Sequence, residues 1–308
     1  MYRHVPPQHP RRPNKKNFQF ILDQFTHSDI KRWGDIKDLY LRYHWEFYSE
    51  LAFQRSKISD EIKNSLLEAS IKTFTFTRWQ RVIKHQYSVE PLSIKGTLVD
   101  PGGRFNIGDI NPNHFQMFPA LYIACDKQTA MQEALCQNVN EGSMEAALDL
   151  ALTNTSSMTN VSISGKIESY IDLNSPDRLK PFINLFKDFT IPRHVYDIAK
   201  ILGFPEPPMI IKTVPKLIEA ILAPNWREWP MQYDVPVASQ IFGQLAMAAG
   251  IEGVLYPSKF SKRNNLVIFP QNFDDLNTSL VQLDDPPPRE TKVLKWDSAS
   301  WKKHGIDI

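Results

Sequence analysis

The clearest pattern along the chain is a stripe of large apolar side chains with helical spacing near the N-terminus. Its members recur at every third or fourth position: Trp33, Ile36, Tyr40, Tyr43, Phe47 and Leu51. This spacing places them on one face of a helix that begins near Ser28. A second helix is predicted from about Asp60, with Ile62, Leu66 and Leu67 on its buried side. The aromatic stripe is interpreted as core packing, with a partner-binding face as the alternative.

The spacing of apolar residues then changes to every second position, as in a β-strand. Residues 73–77 alternate between threonine and phenylalanine, as expected for a half-buried strand. Leu121–Cys125 predicts a short buried strand. Asp126 is a suitable N-cap for a helix over Lys127–Asn140, and Gly142 is a suitable C-cap. Strand and helix therefore follow each other directly in this part of the chain.

The C-terminal third continues this mixture of elements. Pro236–Ala249 predicts a buried helix with proline near its start. Val254–Tyr256 and Leu266–Phe269 predict two further strands, and Asp284–Pro288 predicts a rigid polar linker. The tail beyond this linker carries two tryptophans, which favours docking of part of it on the body. The overall prediction is an α+β fold.

Four segments are predicted from these changes in pattern. Residues 1–17 hold five Lys/Arg and no acid, which indicates a disordered basic arm, with contact to a nucleic acid or an acidic partner as the alternative. An N-terminal helical extension covers 18–72, the main domain covers 73–275, and a linker and tail cover 276–308. Residues 143–230 combine strand-like and helical pieces whose order the sequence does not specify.

Composition narrows the class of protein. Hydrophobic residues make up 42% and charged residues 23% of the 308, which is typical of a globular protein and excludes wholesale disorder. The net charge of +2 is too small to indicate a polyanionic partner for the whole chain. Two cysteines, Cys125 and Cys136, do not make a disulfide framework, and no apolar run is long enough for a membrane span. These features predict a cytoplasmic protein without a membrane or nucleic-acid partner.

Several familiar catalytic motifs are absent from the sequence. It contains no Gly-x-Gly-x-x-Gly, no Gly-x-x-x-x-Gly-Lys and no Gly-x-Ser-x-Gly, so a Rossmann dinucleotide site, a phosphate loop and a hydrolase elbow lack support. It also contains no His-Glu-x-x-His, and its eight histidines do not pair at helical spacing. No metal site is therefore expected.

Four polar residues at the ends of elements could carry chemistry. Arg104 follows two glycines, which allow close backbone approach to a ligand, and its guanidinium can bind phosphate. Tyr122 lies within an apolar strand and could stack on a flat ligand. Glu133 lies on a mainly apolar helix, and Ser258 lies in a turn between two strands. Taken singly, each has an ordinary structural explanation as a turn, core or helix-edge residue.

Taken in order, the surrounding sequence resembles the RES domain family. The matching blocks are Gly-Gly-Arg-Phe-Asn, Ala-Leu-Tyr-Ile-Ala-Cys-Asp-Lys-Gln-Thr-Ala-Met-Gln-Glu, Gly-Val-Leu-Tyr-Pro-Ser and Asn-Asn-Leu-Val-Ile-Phe, within residues 73–272. The family is named for an Arg, a Glu and a Ser, which here are Arg104, Glu133 and Ser258. Ser239-Gln240 also fits the family pattern, and Arg78 resembles the arginine near its start.

The resemblance implies a fold and an activity. RES proteins are similar to ADP-ribosyltransferases in fold and are largely bacterial toxins, usually neutralised by a cognate antitoxin. They consume NAD⁺ as a substrate rather than a cofactor, cleaving its nicotinamide–ribose bond by hydrolysis or phosphorolysis. The implied catalytic residues are Glu133, Arg104, Tyr122 and Ser258. The implied substrate-binding residues are Arg78, Gly103, Asn106 and Asn265.

Within this resemblance, roles follow from residue chemistry. Glu133 would stabilise the cationic ribose, while Arg104 with Arg78 would hold the pyrophosphate. Tyr122 would stack on nicotinamide, and Ser258 would bind the ribose or orient Glu133. Two alternatives remain open: a mono-ADP-ribosyltransferase that modifies a protein, and an inactive nucleotide-binding or interaction protein.

Overall fold

The computed structural model describes residues 27–136, 158–276 and 278–305. The chain divides into two compact units, Met1–Phe53 with Thr190–Met209, and Gln54–Phe189 with Ile210–Ile308. The predicted arm of residues 1–17 and the predicted helix end at Asn140 with its Gly142 cap lie outside the described residues.

The helices and strands are interleaved along the chain. The helices are α1 His27–Ser56, α2 Ser59–Ala69, α3 Lys127–Cys136, α4 Lys180–Asn184, α5 Arg193–Ile201, α6 Val214–Ile221, α7 Glu228–Tyr233, α8 Ala238–Ala248 and α9 Ser298–His304. The strands are β1 Ile71–Lys84, β2 Gly102–Gly103, β3 Asn106–Ile107, β4 Leu121–Ala124, β5 Met158–Asp172, β6 Gly253–Pro257, β7 Asn264–Ile268, β8 Leu280–Leu283 and β9 Lys295–Trp296. The predicted α+β class is confirmed. No helix within the described ranges is both long enough and apolar enough to cross a bilayer.

The first unit is built around the aromatic stripe of α1. Tyr43 is buried against Val195, Ile198 and Ala199, which together form the apolar face of α5. Its ring meets that of Phe204 edge to face, with centroids 4.9 Å apart. The stripe therefore packs inside this unit at Tyr43, because an aromatic ring buries a large apolar area when it lies between helices.

The second unit contains a seven-stranded sheet with the order β1-β4-β7-β6-β5-β8-β9. Strand β1 also pairs with β5 over most of its length, from Ile71 opposite Tyr170 to Lys84 opposite Met158. The strands β1, β4, β7, β6 and β5 thus form a closed circuit of pairing. All described pairings in the sheet are antiparallel except that between β5 and β6.

The central strands β4, β6 and β7 separate an apolar core from the candidate site. Side chains alternate between the two faces of a strand, and directly paired residues share a face. Ile123, Leu266 and Leu255 are paired across the three strands and belong to the main hydrophobic core. On the opposite face, Asn265 pairs with Ala124 on one side and with Tyr256 on the other.

The C-terminal tail belongs to the sheet. Strand β8 pairs with the middle of β5, and β9 pairs with β8. Trp296 on β9 is 1% exposed, and its indole N–H donates to the carbonyl oxygen of Leu92 at 2.9 Å. Trp301 on α9 packs against the Trp296 ring. Residues after the polar linker therefore contribute to the core of this unit.

We predict that Trp296→Ala lowers the free energy of unfolding by about 3–5 kcal/mol, because it removes a fully buried ring and leaves a cavity. Trp296→Phe should cost less, since it keeps most of the apolar area and loses one hydrogen bond, worth about 1 kcal/mol. Urea unfolding measures both. Leu276→Ala is the control, because Leu276 is 90% exposed. Equal stability of Trp296→Ala and Leu276→Ala would contradict the docking of the tail.

Candidate functional site

A carboxylate on α3 is the centre of the candidate site. The helix begins after Asp126, whose Oδ1 accepts the Thr129 N–H at 2.8 Å, and this hydrogen bond lowers the pKa of Asp126. Glu133 Oε1 accepts two hydrogen bonds, from Ser258 Oγ at 2.6 Å and from Asn265 Nδ2 at 2.8 Å. Its other oxygen, Oε2, accepts no hydrogen bond from any residue that the structure describes. One oxygen is thus anchored while the other is available to a ligand.

The turn between β6 and β7 fixes the direction of the Ser258 hydroxyl. Ser258 is 3% exposed, and its Oγ accepts from the N–H groups of Phe260 at 3.2 Å and Ser261 at 3.4 Å. Its backbone N–H donates to the carbonyl oxygen of Arg263 at 2.6 Å. These backbone contacts leave the hydroxyl proton directed at Glu133. The structure therefore places the Ser258 hydroxyl against the Glu133 carboxylate.

Arg104 lies in the same electrostatic environment as Glu133. Burial lowers the pKa of Arg104, while Tyr256, Glu133 and Tyr122 act in the opposite direction. Its Nη1 donates to the carbonyl oxygens of Ile221 at 3.2 Å and Ala223 at 2.8 Å. Nε and Nη2 donate to no residue in the described part of the chain. The guanidinium therefore keeps donors that an anionic ligand could use.

The turn that carries Arg104 is held by Asn106, a fully buried residue. Asn106 Oδ1 accepts from the Gly103 N–H and from the Tyr122 hydroxyl, each at 2.9 Å. Its Nδ2 donates to the carbonyl oxygens of Thr97 at 2.7 Å and Phe118 at 3.0 Å. The Asn106 amide thus makes its contacts inside the protein. The structure places it beneath the turn as a support.

Gly103 and Tyr122 also shape the turn that carries Arg104. A Cβ on Gly103 would overlap the Tyr122 hydroxyl and Asn106 Oδ1, so only glycine fits there. The Tyr122 hydroxyl accepts from the Phe105 N–H at 2.9 Å, and burial raises the pKa of Tyr122. Its hydroxyl is therefore committed to the turn, while its half-buried ring remains partly accessible.

A buried glutamine on α8 completes the support. Gln240 Nε2 donates to the carbonyl oxygens of Pro101 at 2.7 Å, Asn106 at 3.2 Å and Gly103 at 3.3 Å. Its Oε1 accepts from the Val237 N–H at 3.2 Å. Three carbonyls of one loop thus converge on a single side chain, which ties the loop to the helix.

Sequence reasoning identified neither Tyr256 nor Arg227 as a residue of this site. Burial raises the pKa of Tyr256 well above its usual value, and the negative charge of Glu133 adds to this effect. Burial lowers the pKa of Arg227, the nearby charge of Arg104 lowers it further, and Tyr122 acts in the opposite direction. The pairing of β6 with β7 could have indicated Tyr256, because it brings Tyr256 opposite Asn265. No pattern in the sequence pointed to Arg227.

The structure places Arg78 apart from this hydrogen-bonded group. It lies on the exposed surface of β1, where the pairing with β5 is irregular, and its φ is 56°. Its backbone N–H donates to Ser164 Oγ at 2.9 Å. No hydrogen bond of the described residues joins Arg78 to Arg104 or Glu133. A role for Arg78 in binding pyrophosphate stays a prediction.

A second arginine on β1, Arg81, was also passed over. Its Nη2 donates to the carbonyl oxygen of Ser93 at 2.7 Å, and burial lowers its pKa to about 10. Its Nη1 atom is shielded from solvent and has no hydrogen-bond partner among the residues described. A shielded guanidinium nitrogen without an acceptor is costly.

Within the described ranges, no three His, Cys, Asp or Glu residues come together as a group that could hold a metal ion. The site residues brought together are Glu133, Ser258 and Asn265 by hydrogen bonds, and Gly103, Asn106 and Tyr122 by a second hydrogen-bonded group. Arg104 is electrostatically coupled to Glu133 and Tyr122. Their roles toward a ligand stay predictions.

Comparisons with known proteins place the chain in a family. A comparison with curated proteins gave no match. One solved structure, the MbcT–MbcA toxin–antitoxin complex of M. tuberculosis, contains a chain 17% identical to this one. That match covers 73% of this chain and 90% of the other, with a TM-score of 0.44. Residues 78–291 match the model of a family described as RES domain, consistent with the ADP-ribosyltransferase-like fold expected from the sequence. Because this match spans most of its length, the chain belongs to the RES domain family.

Proposed function

We propose that this chain is an NAD⁺-consuming enzyme that cleaves the nicotinamide–ribose bond. The observation that supports the proposal most strongly is the Glu133 carboxylate, anchored through Oε1 by Ser258 and Asn265 with Oε2 left available. Family membership agrees with this activity. An oriented carboxylate near two tyrosine rings and a guanidinium suits a reaction in which positive charge moves within a bound dinucleotide.

The reaction moves a positive charge from nicotinamide to ribose. When the bond between the ribose C1′ and the pyridinium nitrogen breaks, its electron pair stays with the nitrogen, and nicotinamide leaves as a neutral molecule. The ribose becomes an oxocarbenium-like cation. A fixed carboxylate beside it interacts more strongly with this transition state than with the ground state, and therefore lowers the barrier. We assign this role to Glu133 Oε2.

The other site residues suit the two ends of the substrate. Arg104 has donors left for a phosphate oxygen, since within the described part of the chain only its Nη1 donates a hydrogen bond. The half-buried ring of Tyr122 lies on the face that carries Asn265, whereas the Tyr256 ring on the same face is buried against Phe105. A neutral aromatic face suits the cationic nicotinamide ring.

The proposal includes a toxin role, with a cognate antitoxin as partner, because this is what family membership implies. The acceptor of ADP-ribose defines the reaction class. Water would give ADP-ribose, phosphate would give a phosphorylated ADP-ribose, and a protein would gain the mass of one ADP-ribosyl group. Water, or a neutral hydroxyl or nitrogen of a protein, loses a proton as it bonds to C1′, whereas an anionic phosphate oxygen bonds without losing one.

We expect the purified chain to release nicotinamide from NAD⁺. The measurement is chromatography with mass spectrometry of the products, with and without phosphate and with and without added protein acceptors. The product identifies the acceptor. Nucleotide binding without any nicotinamide release would instead support the inactive binding protein and would contradict the proposal.

We predict that Glu133→Gln reduces kcat/KM for NAD⁺ by about 10²-fold or more, because an amide keeps the shape but not the charge that stabilises the cation. The rate of nicotinamide release measures this. Glu290→Gln removes the same charge from an exposed position and should match the wild type. Near-UV circular dichroism checks that both variants are folded. Full activity of Glu133→Gln would refute the assigned site.

Ser258→Ala tests the orientation of the carboxylate. Loss of one of its two anchors should lower kcat by about 10–100-fold, because a small misplacement of a catalytic group is costly. KM for NAD⁺ should change by less than about 3-fold, since the hydroxyl donates to Glu133. A rise in KM with unchanged kcat would indicate that Ser258 binds substrate instead.

A further inference from the structure

The last residue of α6 and residues just after it contact the guanidinium of Arg104. Ile221 and Ala223 accept its Nη1 hydrogen bonds through their carbonyl oxygens. Trp226 follows, and the Arg104 Cζ atom lies 5.7 Å from the centroid of its indole ring. Arg104 therefore contacts this stretch of chain through both backbone and side chain. The stretch belongs to the segment between Glu133 and Ser258 whose order the sequence did not specify.

A second guanidinium packs on the same indole. The Arg227 Cζ atom lies 5.0 Å from the Trp226 ring centroid. Both distances are within the range of cation–π attraction, which tryptophan provides best among the aromatic residues. Trp226 thus holds two positive groups in one place. Both arginines are half-buried, so solvent screens their mutual repulsion less than it would on an open surface.

The positive charge of Arg227 affects the pKa of Tyr122. It opposes the rise in the pKa of Tyr122, as Arg104 also does, and Arg104 in turn lowers the pKa of Arg227. Both charges therefore act in the electrostatic environment of Tyr122. An anion with two charged groups can bind two guanidinium groups that pack on one indole.

We propose that Trp226 and Arg227 position the diphosphate of a dinucleotide, with Arg227 binding one phosphate and Arg104 the other. This rests on the proposed function and adds to it a specificity for substrates with two linked phosphates. Trp226 fixes the two guanidinium groups relative to each other. Arg227 is therefore a positioning residue for the substrate, remote from the bond that breaks.

Binding of inorganic pyrophosphate and ADP-ribose by calorimetry tests the pair without any turnover. We expect Arg227→Gln to weaken both by about tenfold or more, Arg227→Lys to weaken them less, and Trp226→Leu to resemble Arg227→Gln. Arg289→Gln, at an exposed position, should bind as the wild type does. Unchanged affinity in Arg227→Gln, or a wild type that binds neither probe, would overturn the inference.

Kinetics provide the second measurement. Arg227→Gln should raise KM for NAD⁺ by about tenfold with a smaller change in kcat, and should leave kcat/KM for nicotinamide mononucleotide, which has one phosphate, within about threefold. Equal losses on both substrates would overturn the inference. Diphosphate binding that depends on Arg227 in a chain that releases no nicotinamide would refute the proposed function and leave this inference standing. Nicotinamide release that does not depend on Arg227 would support the proposed function and overturn this inference.

Discussion

The amide of Asn106 is the contact on which the geometry of the candidate site depends. It is buried inside the protein, where an unmade hydrogen bond would cost about 1–3 kcal/mol. Its oxygen accepts the Gly103 N–H and the Tyr122 hydroxyl, and its nitrogen donates to two carbonyls. Gln240 meets the same loop from α8. With the loop fixed at both sides, Arg104 projects from a rigid support.

The central strands bring this support to the carboxylate. Because β4, β6 and β7 pair in register, Tyr122, Asn265 and Tyr256 share one face while the opposite face is filled with aliphatic side chains. Asn265 then reaches Glu133 on α3, and the turn after β6 supplies Ser258. Elements far apart in sequence thus meet at one side of the sheet, and each contributes few polar atoms.

Part of this arrangement could be predicted from the sequence. The short apolar runs at β4, β6 and β7, and the capped helix α3, have strong local patterns, and the resemblance to the RES domain named Arg104, Glu133 and Ser258. Strand β8 has four residues and strand β9 has two. Both are too short to show the alternation of apolar and polar residues that predicts a strand. The predicted strand at residues 73–77 extends over Ile71–Lys84 because its long partner β5 pairs with it from end to end.

The contacts between the site residues could not be predicted. That Ser258 and Asn265 both donate to one oxygen of Glu133 depends on the register of β6 against β7 and on the position of α3, which are tertiary features. Trp226 and Arg227 were missed because an isolated aromatic–cation pair outside regular elements leaves no periodic signal. Their importance follows from the fold of the chain around Arg104.

The hydrogen bonds of Ser258 have a consequence for its reactivity. A hydroxyl group has one proton to give and two lone pairs to share. Here the proton goes to Glu133, and the lone pairs meet the N–H groups of Phe260 and Ser261. At 3.2 and 3.4 Å these N–H contacts are long, but they turn the lone pairs of the oxygen towards the turn. A covalent intermediate on this oxygen would first have to give up its hydrogen bond to Glu133 and its contacts with the turn.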